Sequence, residues 1–171
     1  MIIISIHFGF ISLDLTKSIE KKVHKEIKNA FEVENAALLE IKVSSEINSK
    51  LKTKIGEYNL FKIAKDSLLI GYAYIGKAPS KTDEFDYLVL FDTDLILKKS
   101  KLLIYREDYG AEIGSKRWLK QFNGLKSEDT IQYGNEIVAI SGATISARSF
   151  TIAINNLLKS MAILEQENLF K

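Results

Sequence analysis

Residues 141–146, Ser-Gly-Ala-Thr-Ile-Ser, combine small side chains and hydroxyls in a pattern that suits the binding of a phosphate group. Downstream, apolar side chains recur three and four residues apart from Phe150 onward, which predicts a long C-terminal helix. Thr144 would lie in its first turn, where free backbone N–H groups and the positive end of the helix dipole attract an anion. Gly142 would let the backbone approach that anion closely, and Ser146 adds a hydroxyl on the same turn.

The same residues also have a purely structural interpretation. Ser141 would be an ordinary helix N-cap, with Gly142 and Ala143 present for close packing. Upstream, residues 136–140, Glu-Ile-Val-Ala-Ile, predict a short buried strand that leads into the helix. The run by itself leaves both interpretations open.

This run resembles the S-G-A-T-[ST] motif of FMN-binding domains, the family found in subunits of Na+-translocating NADH:quinone reductase and Rnf-type electron-transport complexes. In that family the Thr hydroxyl carries FMN through a phosphoester, which a separate flavin transferase forms from FAD. The resemblance implies that Thr144 is the attachment residue. It also implies that the residues framing the cofactor are Ser141, Gly142, Ala143 and Ser146.

One position departs from the family pattern. The family commonly has an acidic residue six positions before the Thr, and the transferase is thought to read it; this chain has Val138 there. Glu136 and Asn135 are close but out of register. The resemblance therefore bears more directly on FMN binding than on the covalent bond.

A second part of the resemblance lies upstream. Residues 104–114 are similar to the family's E-T-P-G-L-G loop in altered form, with Glu107 and Gly110 in matching positions. Residues 115–124 are similar to the short helix that ends in Q-F-x-G in the same domains. The resemblance covers roughly residues 60–164 and implies that Glu107 and Gly110 also bind the cofactor. Tyr109 is the aromatic candidate for the isoalloxazine face, because it lies in the loop and has no helical partner.

Other residues near this loop have competing interpretations. Arg106, Lys116 and Arg117 are the nearby cations that could answer negative charge on a flavin, or they are solvated surface charges. Trp118 and Phe122, four residues apart, could stack on a flavin. Their spacing favours the buried face of an amphipathic helix instead.

Composition excludes several classes of function. The 24 Lys and Arg residues are interspersed with 22 Asp and Glu residues, so no basic stripe indicates nucleic acid as a partner. The chain has no Cys, which excludes disulfides, Fe–S ligation and thiol catalysis. Its two histidines, His7 and His24, cannot form a His-rich metal site or a Ser/His/Asp triad near residues 141–146.

The N-terminal segment, residues 1–13, is apolar but too short to span a bilayer as a helix, which takes about 20 residues. It could be a degenerate export signal, a stub left by a misplaced start codon, or a strand. An export or membrane-proximal segment is favoured, which would place the protein on the periplasmic side. Next, apolar residues recur every fourth position from Leu15 to Phe31 and predict a helix; packing along the domain is favoured over contact with a membrane surface.

The remaining segments predict the fold. Strands are expected at residues 38–43, 59–64, 68–75, 85–91 and 95–105, with a tight turn at 92–94 and a loop at 76–83. Short connections favour hairpins. The prediction is one α+β domain with a mainly antiparallel sheet, an N-terminal helix and a long C-terminal helix. Residues 1–13 form the apolar segment, residues 14–58 the first helix and a lead-in strand, and residues 59–171 the FMN-binding domain.

The function predicted from the sequence and the resemblance is an FMN-binding electron-transfer protein, more a flavoprotein domain than a stand-alone enzyme. Its partners would be a flavin transferase and redox proteins, including a membrane electron-transport complex. Two alternatives stay open: a flavin-free binding or scaffold module with the same fold, and an oxidoreductase that uses non-covalent FMN on its own substrate.

Overall fold

Five antiparallel strands form one sheet at the centre of the protein; the structure is a computed structural model that describes residues 17–170. In sequence order the strands are β1 (Ala37–Glu40), β2 (Leu60–Lys65), β3 (Leu68–Pro79), β4 (Glu84–Phe91) and β5 (Leu97–Ile104). Each pairs with the next in antiparallel register, so that Tyr74 lies opposite Val89 and Val89 opposite Ser100. Hairpins alone connect β2 to β5, which confirms the predicted α+β fold.

Four α-helices accompany the sheet within the described residues. They are α1 (Lys17–Phe31), α2 (Ser45–Lys50), α3 (Lys116–Leu119) and α4 (Thr144–Gln166), with 3₁₀ turns at Ala111–Gly114 and Lys120–Phe122 on either side of α3. Both terminal helices were predicted, and α2 was not. No helix within residues 17–170 is long and apolar enough to cross a membrane.

The sheet is covered on both faces, which explains why β4 is buried along almost its whole length. Its side chains Phe85, Tyr87, Val89 and Phe91 face α4, whose own apolar stripe runs from Ala147 to Leu164. On the opposite face, α1 packs against β5 and β4, and its side chains Ile19, Val23 and Ile27 share one core cluster with side chains of β2 to β5. The apolar stripe predicted for α1 is therefore a packing surface, while Leu15 and residues 1–13 lie outside the described residues.

Two local predictions were wrong. Residues 136–140 form no strand; among the described residues they contribute one isolated bridge between Tyr133 and Ile137. Only Ile137 is buried there, so a strand would have had no apolar face to cover. The loop predicted at 76–83 is also shorter than expected, because β3 continues to Pro79 and leaves a tight connection in which Ser80 N–H donates to Asp83 O at 2.7 Å.

Candidate functional site

Helix α4 begins at Thr144 without a side-chain cap. Ala143 occupies the N-cap position, and its side chain has no hydrogen-bonding atom. Ser141 lies two residues further upstream and is exposed, so the interpretation of Ser141 as the N-cap is wrong. A helix start without a capping side chain leaves first-turn N–H groups for another acceptor, and an anion is a favoured one.

Gly142 gives this turn a backbone conformation that other residues rarely adopt. Its φ angle is +82°, in the left-handed region, and a Cβ built on it would meet no atom within 4 Å. The glycine is therefore required by the turn and is not filling a tight space. It leaves the backbone just before Thr144 open to a ligand.

Gly110, from the loop after β5, packs directly against this turn. It is buried and has a φ angle of +90°. A Cβ at Gly110 would lie 2.6 Å from Tyr105 Oη, 3.3 Å from Gly142 O and 3.4 Å from the Cβ of Ala143. The fold thus brings together the two sequence segments that carry the resemblance, and a side chain at Gly110 would push them apart.

Tyr105 ties the same loop to the first turn of α4. Its Oη lies 3.0 Å from Ser146 Oγ, and Ser146 is only 3% exposed. The Ser146 hydroxyl therefore already has a partner, whereas Thr144 is exposed. Sequence reasoning did not single out Tyr105; its signal was an aromatic residue with a hydroxyl directly between a strand and the glycine loop.

Glu107 holds the β3–β4 connection against the loop after β5. Its carboxylate accepts hydrogen bonds from Ser80 Oγ at 2.6 Å, from Thr82 N at 2.6 Å and Oγ1 at 2.8 Å, and from Asp83 N at 3.2 Å. The hydrogen bond from Ser80 and those from Thr82 lower the pKa of Glu107 to about 2. The carboxylate is therefore ionised at neutral pH and fixes the conformation of residues 80–83.

A cavity of about 540 Å³ lies where these segments meet. Six of the eight predicted site residues line it, namely Glu107, Tyr109, Gly142, Ala143, Thr144 and Ser146. Gly110 is buried behind the loop, and Ser141 lines a neighbouring cavity of about 460 Å³ with Trp118 and Val138. Two lining residues that the sequence did not indicate are Lys81 and Thr82, because the hairpin that carries them is distant in sequence.

The chemistry of this cavity suits a phosphorylated ligand with an aromatic group. Lys81 adds a cation to the cavity that contains the uncapped helix start and that Glu107 and Asp108 also line, and Lys81 forms no ion pair with any residue in 17–170. Tyr109 stands on the rim with 86% of its surface exposed, so a face of its ring is available for stacking.

Comparison with known families identifies this region. Residues 81–159 match the family model described as the FMN-binding domain, and a search of curated proteins found no match. Residues 81–159 are an FMN-binding domain. FMN is accordingly the cofactor, and the matched residues begin at Lys81 in the hairpin and include the loop at Glu107 and the whole turn before Thr144.

The FMN-binding domain offers FMN a fitting phosphate site. Gly142 leaves an open approach to the backbone, the first turn of α4 is uncapped, and Lys81 supplies a positive charge. Arg106 is not available for this purpose, because its guanidinium binds the buried carboxylate of Asp86 and donates to Glu84 O at 2.8 Å. Neither Lys116 nor Arg117 lines the cavity around Thr144.

Trp118 and Phe122 belong to the core of the domain, as their spacing favoured. Both are buried, with ring centroids 5.1 Å apart in an edge-to-face arrangement, and both contact Phe150 of α4. The Trp118 indole N–H donates to Val138 O at 2.9 Å. Trp118 therefore anchors the segment that leads to the turn before Thr144.

Val138 presents its side chain to solvent at the position where the family commonly has an acid. Its backbone is fixed by Trp118 and by Gln121 Oε1, which accepts from Val138 N at 2.7 Å, while the residue is 65% exposed. Glu136 does not replace the missing acid, because its carboxylate accepts from Gln132 N at 2.8 Å and Asn135 Nδ2 at 2.6 Å and closes its own turn. The surface beside Thr144 is therefore apolar at this point.

Proposed function

We propose that this protein is an electron-transfer flavoprotein whose FMN is joined through a phosphoester to Thr144 Oγ1. The observation that carries the proposal is the uncapped start of α4, which holds an exposed threonine hydroxyl inside a cavity of the FMN-binding domain. FMN, when bound, supplies one- and two-electron redox chemistry. The chain's own residues bind and orient it.

Burial distinguishes Thr144 from the other hydroxyls of the motif. Ser146 is buried and bonded to Tyr105, so a transferase could not reach its Oγ without breaking that contact. Ser141 is exposed but precedes the helix and lines the neighbouring cavity. Thr144 alone of the three combines an exposed hydroxyl with the N–H groups of the first turn, which would stabilise the negative phosphoester oxygens.

The remaining cavity residues would position the cofactor. Lys81 would lie beside the phosphate, held in place because Glu107 fixes the hairpin that carries it. Tyr109 would cover one face of the isoalloxazine. An open cavity rimmed by an exposed aromatic residue suits exchange of electrons with a docked protein better than enclosure of a small substrate.

The partners we propose are a flavin transferase that loads Thr144 and redox proteins that exchange electrons with FMN, including a membrane electron-transport complex. We place the protein on the periplasmic side, exported or associated with the membrane. The support for this location is the apolar sequence of residues 1–13 together with the resemblance to proteins of such complexes.

A second candidate is an oxidoreductase that holds FMN without a covalent bond. The specific observation in its favour is Val138, which gives a transferase an apolar side chain where the family commonly offers an acid. In this case the same cavity would bind FMN, and Thr144 would only donate a hydrogen bond to the phosphate.

The test is co-expression of the full chain with a flavin transferase, followed by denaturing electrophoresis and flavin fluorescence of the protein band. We expect fluorescence in the wild type and in Thr144→Ser, which keeps a hydroxyl, and none in Thr144→Val, which keeps the shape. Ser141→Ala is the matched control and should keep the signal. A fluorescent Thr144→Val band would refute the attachment site, and yellow protein that loses its flavin on denaturation would support the second candidate instead.

A further inference from the structure

A basic cleft lies between α1, β5 and α3, and it shares no lining residue with the cavity around Thr144. Its volume is about 480 Å³. Its lining includes the five lysines Lys25, Lys99, Lys101, Lys116 and Lys120. They come from three segments that are far apart in the chain, so the folded structure was needed to show that they share one surface.

The positive charge in this cleft is only partly neutralised. Glu26 is buried at its edge and forms ion pairs with Lys99 at 2.6 Å and Lys101 at 3.9 Å. Lys25, Lys116 and Lys120 form no ion pair with any residue in the described part of the chain. Five ammonium groups and one carboxylate leave the lining with a net charge of +4.

Protection of a sheet edge explains only part of this cluster. Lysines on an edge strand oppose pairing with another sheet, and β5 is an edge of this one. That role accounts for Lys99 and Lys101. It does not account for Lys25 of α1 and for Lys116 and Lys120 at α3, which converge on the same concave surface from other elements.

We propose that this cleft binds the phosphate group of an anionic ligand. A concave surface lined by one sign of charge concentrates counter-ions, and lysine ammonium groups bind phosphate as point charges. Asn29 and Asn123 line the same cleft and add polar groups. The volume is within the usual range for small-molecule sites, roughly 300–1,000 Å³. Two sources have this chemistry, an anionic phospholipid headgroup and a soluble phosphorylated compound.

The test uses the full chain saturated with FMN, so that the turn at Thr144 is occupied. One arm measures binding of inorganic pyrophosphate by isothermal titration calorimetry. The other measures co-flotation with vesicles of phosphatidylglycerol in phosphatidylcholine against vesicles of phosphatidylcholine alone. The cleft variant combines Lys25→Gln, Lys116→Gln and Lys120→Gln, which leaves the ion pairs of Glu26 intact. The control variant removes three exposed lysines elsewhere, at Lys42, Lys52 and Lys159.

We expect the wild type to bind at least one probe, with an affinity that falls as salt is added. The cleft variant should lose roughly tenfold or more of that affinity, because each lysine near an anionic surface contributes several-fold. The control variant should lose less than about twofold of the affinity, because its three lysines do not line the cleft. Pyrophosphate binding alone would indicate a soluble ligand, and vesicle binding alone a headgroup.

Three outcomes would overturn the proposal. They are no binding of either probe, an equal loss of probe affinity in the control variant, or a loss of probe affinity in Gly142→Ala that the cleft variant does not show. The last would place the anion at the FMN turn. Because the cleft and the FMN cavity share no residue, failure of this test leaves the proposed flavin attachment unaffected.

Discussion

Comparing Gly142→Ala with Gly124→Ala separates destabilisation of the fold from loss of the cofactor site, because the two glycines have matched backbone conformations. Gly142 and Gly124 have φ angles of +82° and +88°, and a Cβ on either would meet no atom within 4 Å. Gly124 N donates to Leu97 O at the start of β5, whereas the FMN cavity lies beyond the other end of that strand. The eight residues of β5 therefore separate Gly124 from the cavity that Gly142 lines by roughly 25 Å.

The two substitutions should destabilise the fold by the same amount. An alanine in the left-handed region costs about 1–2 kcal/mol, which lowers the melting temperature of a chain of this size by roughly 2–8 °C. Only Gly142→Ala adds a methyl group at the turn where the proposed site would hold the FMN phosphate. Loss of one N–H···O hydrogen bond to a charged oxygen costs about 1.5–3 kcal/mol, equivalent to roughly a ten- to hundredfold weaker affinity.

The assay is titration of the cofactor-free protein with FMN, followed by quenching of flavin fluorescence, with melting temperatures of both variants in parallel. We expect equal melting temperatures and a weaker FMN affinity in Gly142→Ala alone. Wild-type affinity in Gly142→Ala would show that the phosphate does not bind this turn. An equal loss of affinity in Gly124→Ala would show that FMN binding follows global stability, and either result would refute the site described here.

Two further predictions concern residues beside the cavity. Val138→Asp should raise the fraction of protein that carries covalent flavin after co-expression with a transferase, because it restores the acid of the family pattern at an exposed position. The measurement is flavin fluorescence per protein band. Thr130→Asp, at another exposed site, should not raise that fraction. For Glu107, a folded-state pKa of about 2 against an ordinary 4.5 means that its stabilisation is complete above pH 4.5 and is lost as the pH falls toward 2. Thermal melts should therefore show a steeper loss of stability over this range in the wild type than in Glu107→Gln, and parallel curves would contradict the assignment.

Periodicity was sufficient to predict most of the fold because each face of the sheet is covered by one amphipathic helix. The apolar positions of α1 and α4 recur at helical spacing, and the strands from β2 to β5 are connected by short turns that favour hairpins. The error at residues 136–140 has a different origin. The continuous apolar run there indicates a buried strand, but side chains of Trp118 and Gln121 bind the backbone of Val138 in place of a neighbouring strand.

The basic cleft shows where sequence reasoning could not succeed. Its lysines lie in three short stretches that are far apart in the sequence, at residue 25, residues 99–101 and residues 116–120, so no single motif indicates the cleft. Only the packing of α1 and α3 against β5 brings the charges together. The same limitation applies to Lys81, which lines the same cavity as Thr144 but is separated from it in the sequence by most of the FMN-binding domain.

The loop at Glu107 shows how a chain can match a family motif at only two positions and still keep the arrangement of the loops around the site. Of the family's E-T-P-G-L-G pattern, this chain matches the Glu and the Gly, and both have geometric roles here. Glu107 fixes the hairpin that presents Lys81, and Gly110 permits the contact with Gly142. Tyr109, between them, is exposed on the rim of the cavity. The two matching positions therefore determine where the loops lie, and that placement brings Lys81 of the hairpin to the cavity that Thr144 also lines.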